Sequence, residues 1–163
     1  MTHRLLSRCT IVRPGHGLSS YETPRRRLLR SWLASDAMTH PLKTFLVEDS
    51  PMIRENLIAA LEELAPIEVV GTAEDERSAV DWLAAVSQPC DLVIIDIFLK
   101  GGSGLGVLRA AQALGHSMKL VVLSNYATPD MRRKCVALGA SRVFDKSSDI
   151  DALIAYCEKL ATA

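Results

Sequence analysis

A carboxylate, Asp96, directly follows a run of four apolar residues at 92–95, and a glycine-rich turn comes shortly after it at 101–104. A short, β-branched apolar run bounded by turn residues is typical of a strand that is buried on both faces. Asp96 then lies at the carboxyl end of that strand, where open α/β sheets bind their ligands. An aspartate in this place can also simply cap the following turn. The ends of the neighbouring strands decide between the two interpretations.

Three other predicted strands also lead into polar side chains. Glu48 and Asp49 follow the first strand, Ser124 ends the fourth, and Lys146 follows the fifth. Because the carboxyl ends of parallel strands meet at one edge of a sheet, we expect these groups to lie close to Asp96. Three carboxylates in one pocket repel each other, but they suit a hard divalent cation. The pattern therefore favours a shared site over an isolated turn cap.

The elements that position these groups alternate strictly between strand and helix. The predicted strands are 43–47, 67–72, 92–96, 119–123 and 142–144. The predicted helices are 51–64, 75–86, 103–114, 129–138 and 149–160. Such alternation indicates βαβ units with right-handed crossovers, and hence a parallel α/β sheet covered by helices on both faces.

Two details of these helices are specific enough to be compared with a structure. In the first helix, four apolar residues are spaced for one buried stripe: Ile53, Leu57, Leu61 and Leu64. Ser50 is expected to cap this helix, with Pro51 in its first turn, and Ser148 is expected to cap the last helix.

From Lys43 to the C-terminus the chain resembles the receiver domain of bacterial two-component response regulators, in particular the stand-alone, chemotaxis-type regulators. The resemblance rests on the five βα units together with the strand-end groups at 48–49, 96, 124 and 146. It implies a flavodoxin-like, doubly wound (βα)5 fold whose five parallel strands follow the order 2-1-3-4-5.

The resemblance also implies a role for each group that would contact a phosphoryl group. Asp96 is expected to be the nucleophile that accepts the phosphoryl group as an acyl phosphate. The Ser124 hydroxyl and the Lys146 ammonium are each expected to neutralise one phosphoryl oxygen.

Mg²⁺ is the cofactor that the resemblance implies. Its expected ligands are the carboxylates of Asp49 and Asp96 and the backbone carbonyl of Phe98. Glu48 is expected to act mainly through water.

The chain departs from the usual receiver pattern at several positions. Lys100 stands where the family usually has proline. Ser147 follows Lys146 where proline is common, and because a cis bond before a non-proline residue costs about 2.5–4 kcal/mol, this bond is predicted to be trans. Val143 stands where the family often has the aromatic switch residue, while Phe144 is expected to face the core.

The resemblance to receiver domains implies a cytoplasmic signalling protein rather than an enzyme. A histidine kinase or a histidine phosphotransfer protein would donate the phosphoryl group, and an output protein would read it. No output segment follows Leu160, so we expect a stand-alone receiver; the alternative is a phosphorelay intermediate or a phosphate sink. Arg132 and Arg133 are candidate contacts on the face formed by helix 4, strand 5 and helix 5, which could also form a homodimer. Direct DNA binding is not expected.

Charge is distributed unevenly along the chain. Residues 1–41 contain seven arginines and two acidic residues, whereas residues 42–163 contain 12 basic and 17 acidic residues. We therefore expect a basic, disordered extension over 1–41 and a receiver domain over 42–163; the alternative for the extension is a basic arm with one short amphipathic helix over 24–37. Met38 is an alternative start.

The four cysteines form no CxxC pair and no Cys/His cluster with zinc-ligand spacing, and no apolar run is long enough to span a membrane. We expect the thiols to be reduced and structural.

Overall fold

The computed structural model describes residues 40–85, 87 and 89–163. Within these residues five strands alternate with five helices: β1 Leu42–Val47, α1 Pro51–Leu64, β2 Ile67–Ala73, α2 Glu76–Ala85, β3 Leu92–Ile95, α3 Gly104–Leu114, β4 Lys119–Ser124, α4 Pro129–Ala137, β5 Arg142–Asp145 and α5 Ile150–Ala161. Every boundary lies within one residue of its prediction. The helix predicted over 24–37 lies outside the described residues.

All neighbouring strands pair in parallel, in the order β2-β1-β3-β4-β5. The predicted order is confirmed. The register pairs Val47 with Ile95 and Ile95 with Val122. The residues that follow β1 and β3 therefore leave the sheet at the same edge.

The sheet separates two apolar cores, and β3 contributes to both. Val93 and Ile95 face the core beneath α2, α3 and α4, whereas Leu92 and Ile94 face the core beneath α1 and α5. All four side chains are fully buried. This alternation confirms that the apolar run before Asp96 is a strand buried on both faces.

The buried stripe predicted for α1 is wrong at both ends. Leu61 is 1% exposed, but Leu64 is 54% exposed, and Ile53 also lies on the surface. Ile58 packs against the core beside Leu57 instead. Because a helix turns about 100° per residue, Ile53 and Leu64 fall to one side of the face that Leu61 presents to the sheet.

The predicted helix caps are also corrected. Ser50 stands at the N-cap position of α1, but its side chain makes no cap bond. The N-cap residue of α5 is Asp149, not Ser148. The Asp149 carboxylate turns back to accept a hydrogen bond from the Asp145 N–H at 2.9 Å, so this aspartate closes the turn before the helix.

None of the helices in the described part of the chain combines the length and the apolar character needed to cross a lipid bilayer.

Candidate functional site

Three carboxylates meet at the carboxyl edge of the sheet. Glu48 and Asp49 follow β1, Asp96 follows β3, and one oxygen from each lies within 4.8 Å of the others. The Asp96 backbone N–H donates to the Val47 carbonyl at 2.9 Å, which ties the two strand ends together. Glu48 and Asp96 are buried, and Asp49 is partly exposed. The structure thus brings the sequence-predicted acids into one pocket.

Lys146 reaches this pocket from the turn after β5, the strand at one side of the sheet. Its Nζ donates to Glu48 Oε2 at 2.6 Å and to Asp96 Oδ2 at 2.7 Å. Burial opposes the charge on Lys146, but the hydrogen bonds and the attraction from Asp96 and Glu48 outweigh it and raise the pKa of the ammonium group. Lys146 is therefore a charged group at neutral pH and links β5 to both β1 and β3.

The loop after β3 contacts two of the carboxylates through its backbone. The Phe98 N–H donates to Asp96 Oδ1 at 3.3 Å, and the Lys100 N–H donates to Asp49 Oδ2 at 3.1 Å. A proline at position 100 would have no N–H to donate. The departure from the usual family residue therefore adds a hydrogen bond to Asp49.

Gly104 is a site residue that sequence reasoning missed. A Cβ atom there would lie 2.1 Å from the backbone oxygen of Asp96 and 2.9 Å from Ile95 Cγ2. Glycine lets the start of α3 approach the strand end that carries Asp96. The only indication in the sequence was the glycine-rich turn at 101–104.

Ser124 completes the set at the end of β4. The residue is fully buried, and its Oγ accepts a hydrogen bond from the Tyr126 N–H at 3.4 Å. The Tyr126 ring stands edge-on to the Phe98 ring, with 5.0 Å between ring centroids, and both rings are more than half exposed. An aromatic pair therefore connects the loops that follow β3 and β4.

Val143, at the expected switch position of β5, and the next residue, Phe144, face opposite cores. Val143 packs in the core that contains Cys135, while Phe144 packs in the other core, 5.9 Å from the ring of Tyr156. The prediction that Phe144 faces the core is confirmed. The Lys146–Ser147 bond is trans, as predicted, since the described residues contain no cis peptide bond.

Arg132 and Arg133 are adjacent on α4 but make different contacts. Arg133 pairs with Asp130 on the exposed face of the same helix. Arg132 turns inward, where its Nε donates to the Ala127 carbonyl at 2.9 Å and its other nitrogens contact Val143 and Asp149. Arg133 thus remains available on the predicted surface, whereas Arg132 connects elements within the fold.

The response regulator receiver domain profile matches residues 44–158. The chain belongs to this family. The receiver is 31% identical over 114 residues to the nitrate/nitrite response regulator protein NarP of Escherichia coli, covering 70% of this chain and 44% of NarP. It is 25% identical over 111 residues to the fimbriae Z protein of Salmonella typhimurium, covering 68% of this chain and 52% of that protein. The chain thus spans about half the length of these curated relatives.

Solved structures show the same fold. The signal receiver domain of the response regulator NarL from Mycobacterium tuberculosis superimposes on this receiver with a TM-score of 0.66 and 22% identity. The match covers 76% of this chain and 98% of the NarL domain.

Proposed function

We propose that this receiver accepts a phosphoryl group on Asp96 and signals through contacts with another protein that depend on phosphorylation. The donor is a histidine kinase or a histidine phosphotransfer protein. The observation that carries the proposal is the position of Asp96, whose carboxylate is held between the Lys146 ammonium group and two further acids.

The reaction joins a carboxylate oxygen of Asp96 to the phosphorus atom. The bond from phosphorus to the histidine nitrogen of the donor breaks, and the imidazole leaves with the electron pair. Transfer of a phosphoryl group depends chiefly on positioning and on stabilising the charge of its oxygens. Lys146 and Ser124 would serve this role, because both lie at strand ends beside Asp96.

The donor set also fits Mg²⁺. Glu48, Asp49 and Asp96 offer hard carboxylate oxygens, which Mg²⁺ prefers, and the Phe98 carbonyl is a further oxygen donor in the adjacent loop. We propose that these residues hold the ion, with Glu48 acting mainly through water. Bound Mg²⁺ would supply positive charge next to the phosphoryl oxygens.

A phosphorylation assay with a small acyl-phosphate donor tests the proposal. Wild type should gain one phosphoryl group in the presence of Mg²⁺, as measured by intact-protein mass, and Asp96→Asn should gain none. Asp91→Asn is a matched control, because Asp91 is an exposed carboxylate at the opposite end of β3. Equal labelling of wild type and Asp96→Asn would sink the assignment of Asp96. Undiminished labelling after chelation of the metal would sink the role of Mg²⁺.

We further propose that residues 42–163 act in the cytoplasm as a stand-alone receiver, with 1–41 as a separate basic extension. The second candidate is a relay intermediate without an output of its own. Incubation of the phosphorylated protein with a histidine phosphotransfer domain separates the two: rapid and complete transfer of the label favours the relay, while capture of a binding partner by the phosphorylated form alone favours an output role.

A further inference from the structure

The guanidinium group of Arg132 is shared among three elements. Its Nε donates to the Ala127 carbonyl at 2.9 Å, in the loop that follows β4. A second nitrogen donates to the carbonyl of Val143 on β5, and the third donates to Asp149 Oδ2 at 3.1 Å. The guanidinium spreads its N–H donors over three nitrogens in one plane and so reaches three separated acceptors, whereas a lysine ammonium directs its donors from a single nitrogen.

Asp149 extends the connection into the turn that carries Lys146. Its Oδ2 accepts the Asp145 N–H at 2.9 Å, and its own N–H donates to the Asp145 carbonyl, also at 2.9 Å. Residues 145–149 are thereby closed into a compact turn. The Lys146 N–H in turn donates to the Ser124 carbonyl at 3.1 Å. The turn is therefore tied to β4 at one end and to Arg132 at the other.

The ion pair between Arg132 and Asp149 is only partly shielded from solvent. The side chains of Arg132 and Asp149 are 41% and 30% exposed. The backbone hydrogen bond from Asp145, followed by the bond from Arg132, lowers the pKa of Asp149 below its ordinary value. The contact is thus a charge-assisted one at neutral pH.

We propose that Arg132 and Asp149 are a positioning pair that holds the Ser124 loop and the Lys146 turn in register for the phosphoryl oxygens. This role rests on the proposed phosphoacceptor function. Val143 stands at the position that the resemblance assigns to an aromatic switch residue, and in this chain the Arg132 guanidinium connects the loop after β4 to β5.

The pair should act more strongly on phosphoryl binding than on metal binding. The three acids of the metal site follow β1 and β3, and neither Arg132 nor Asp149 contacts them. Arg132→Ala should therefore weaken the binding of beryllofluoride, a phosphoryl analogue, by roughly tenfold. Mg²⁺ affinity measured without the analogue should change less than the affinity for beryllofluoride, because the pair reaches the metal ligands Glu48 and Asp96 only through Lys146.

Double variants and a neighbouring control sharpen the test. The double variant Arg132→Ala with Asp149→Ala should lose no more affinity for beryllofluoride than the single variant with the larger loss, because the two residues act as a unit. Arg133→Ala, which removes the adjacent exposed ion pair, should bind like wild type. Additive losses, or an equal loss of Mg²⁺ affinity, would show general damage and overturn the proposal.

Hydrogen exchange separates this inference from the proposed function. Without any analogue, Arg132→Ala should speed exchange of the amides at 125–128 and at 145–149 together, while the amides of β3 stay protected. Unchanged exchange in either loop would overturn the pairing, whatever the wild type does with phosphate. Failure of wild type to bind beryllofluoride with Mg²⁺, alongside coupled exchange, would count against the phosphoacceptor function alone.

Discussion

Gly104 is a residue at which a single added methyl group would meet the backbone of the site. The Cβ of an alanine would lie 2.1 Å from the Asp96 backbone oxygen, and backbone cannot move aside as a flexible side chain can. We expect Gly104→Ala to lower the free energy of unfolding by about 1–3 kcal/mol, the usual effect of overpacking, as measured by urea denaturation.

Gly115→Asn is the control for this prediction. Gly115 ends the same helix at φ 68°, no atom would crowd an added Cβ, and asparagine tolerates the left-handed conformation. Its effect should be smaller. Wild-type urea resistance of Gly104→Ala would mean that α3 does not approach Asp96 as closely as the structure shows.

Single residues also show where sequence reasoning reaches its limit. Lys146 and Asp96 could be placed at one edge of the sheet because each directly follows a parallel strand, and the strand order implied by the resemblance brings them into one site. The inward turn of Arg132 could not be predicted. An arginine on an amphipathic helix is usually predicted to lie on the surface. The three acceptors of Arg132 come from parts of the chain that only the folded structure brings together.

At the scale of elements, α1 offers a direct test of which face packs on the sheet. Leu61→Ala should lower the free energy of unfolding by about 2–5 kcal/mol, because Leu61 is fully buried between the helix and the sheet. Leu64→Ala, one turn away and exposed, should change it by no more than about 0.5 kcal/mol. Similar losses of stability in the two variants, measured in the same urea titration, would mean that Leu64 is buried as the spacing alone predicted.

The order of elements was predictable, whereas the details of their ends were not. Five apolar runs separated by amphipathic stretches indicate a parallel sheet, so the bounds of the strands and helices followed from the pattern, whereas the strand order was implied by the resemblance to receiver domains. The cap of α5 depends on whether Ser148 or Asp149 enters the helix, and the turn decides it because Asp149 bonds back to Asp145. Such competition among adjacent polar residues is local in sequence but settled by three-dimensional geometry.

At the scale of the whole molecule, the two cores on either side of the sheet should protect Cys135 and Cys157, which lie inside them, and Cys90, which packs against one of them. Burial raises the pKa of Cys90 and of Cys157 to about 11, and also raises that of Cys135. A thiol with a raised pKa favours the folded state below its ordinary value near 9, and this contribution is lost as pH rises toward the folded value.

Alkylation with iodoacetamide between pH 8 and 10 measures this protection. In a Cys9→Ser background, these three cysteines should react slowly in the native protein and quickly in urea, as followed by mass spectrometry. Native rates equal to the unfolded rates would contradict the burial of these thiols. The same experiment tests the expectation that the cysteines are reduced and structural.

The contacts of Lys146 have a consequence for electroneutrality. Three carboxylates and one ammonium leave the pocket with two formal negative charges. A divalent cation would cancel these charges, while a monovalent ion would leave one uncompensated. An acyl phosphate then replaces one carboxylate charge with about two, and in a partly desolvated pocket that imbalance is costly. The preference of the pocket for a divalent ion and its response to the phosphoryl group would therefore follow from a single condition, the charge balance of the pocket.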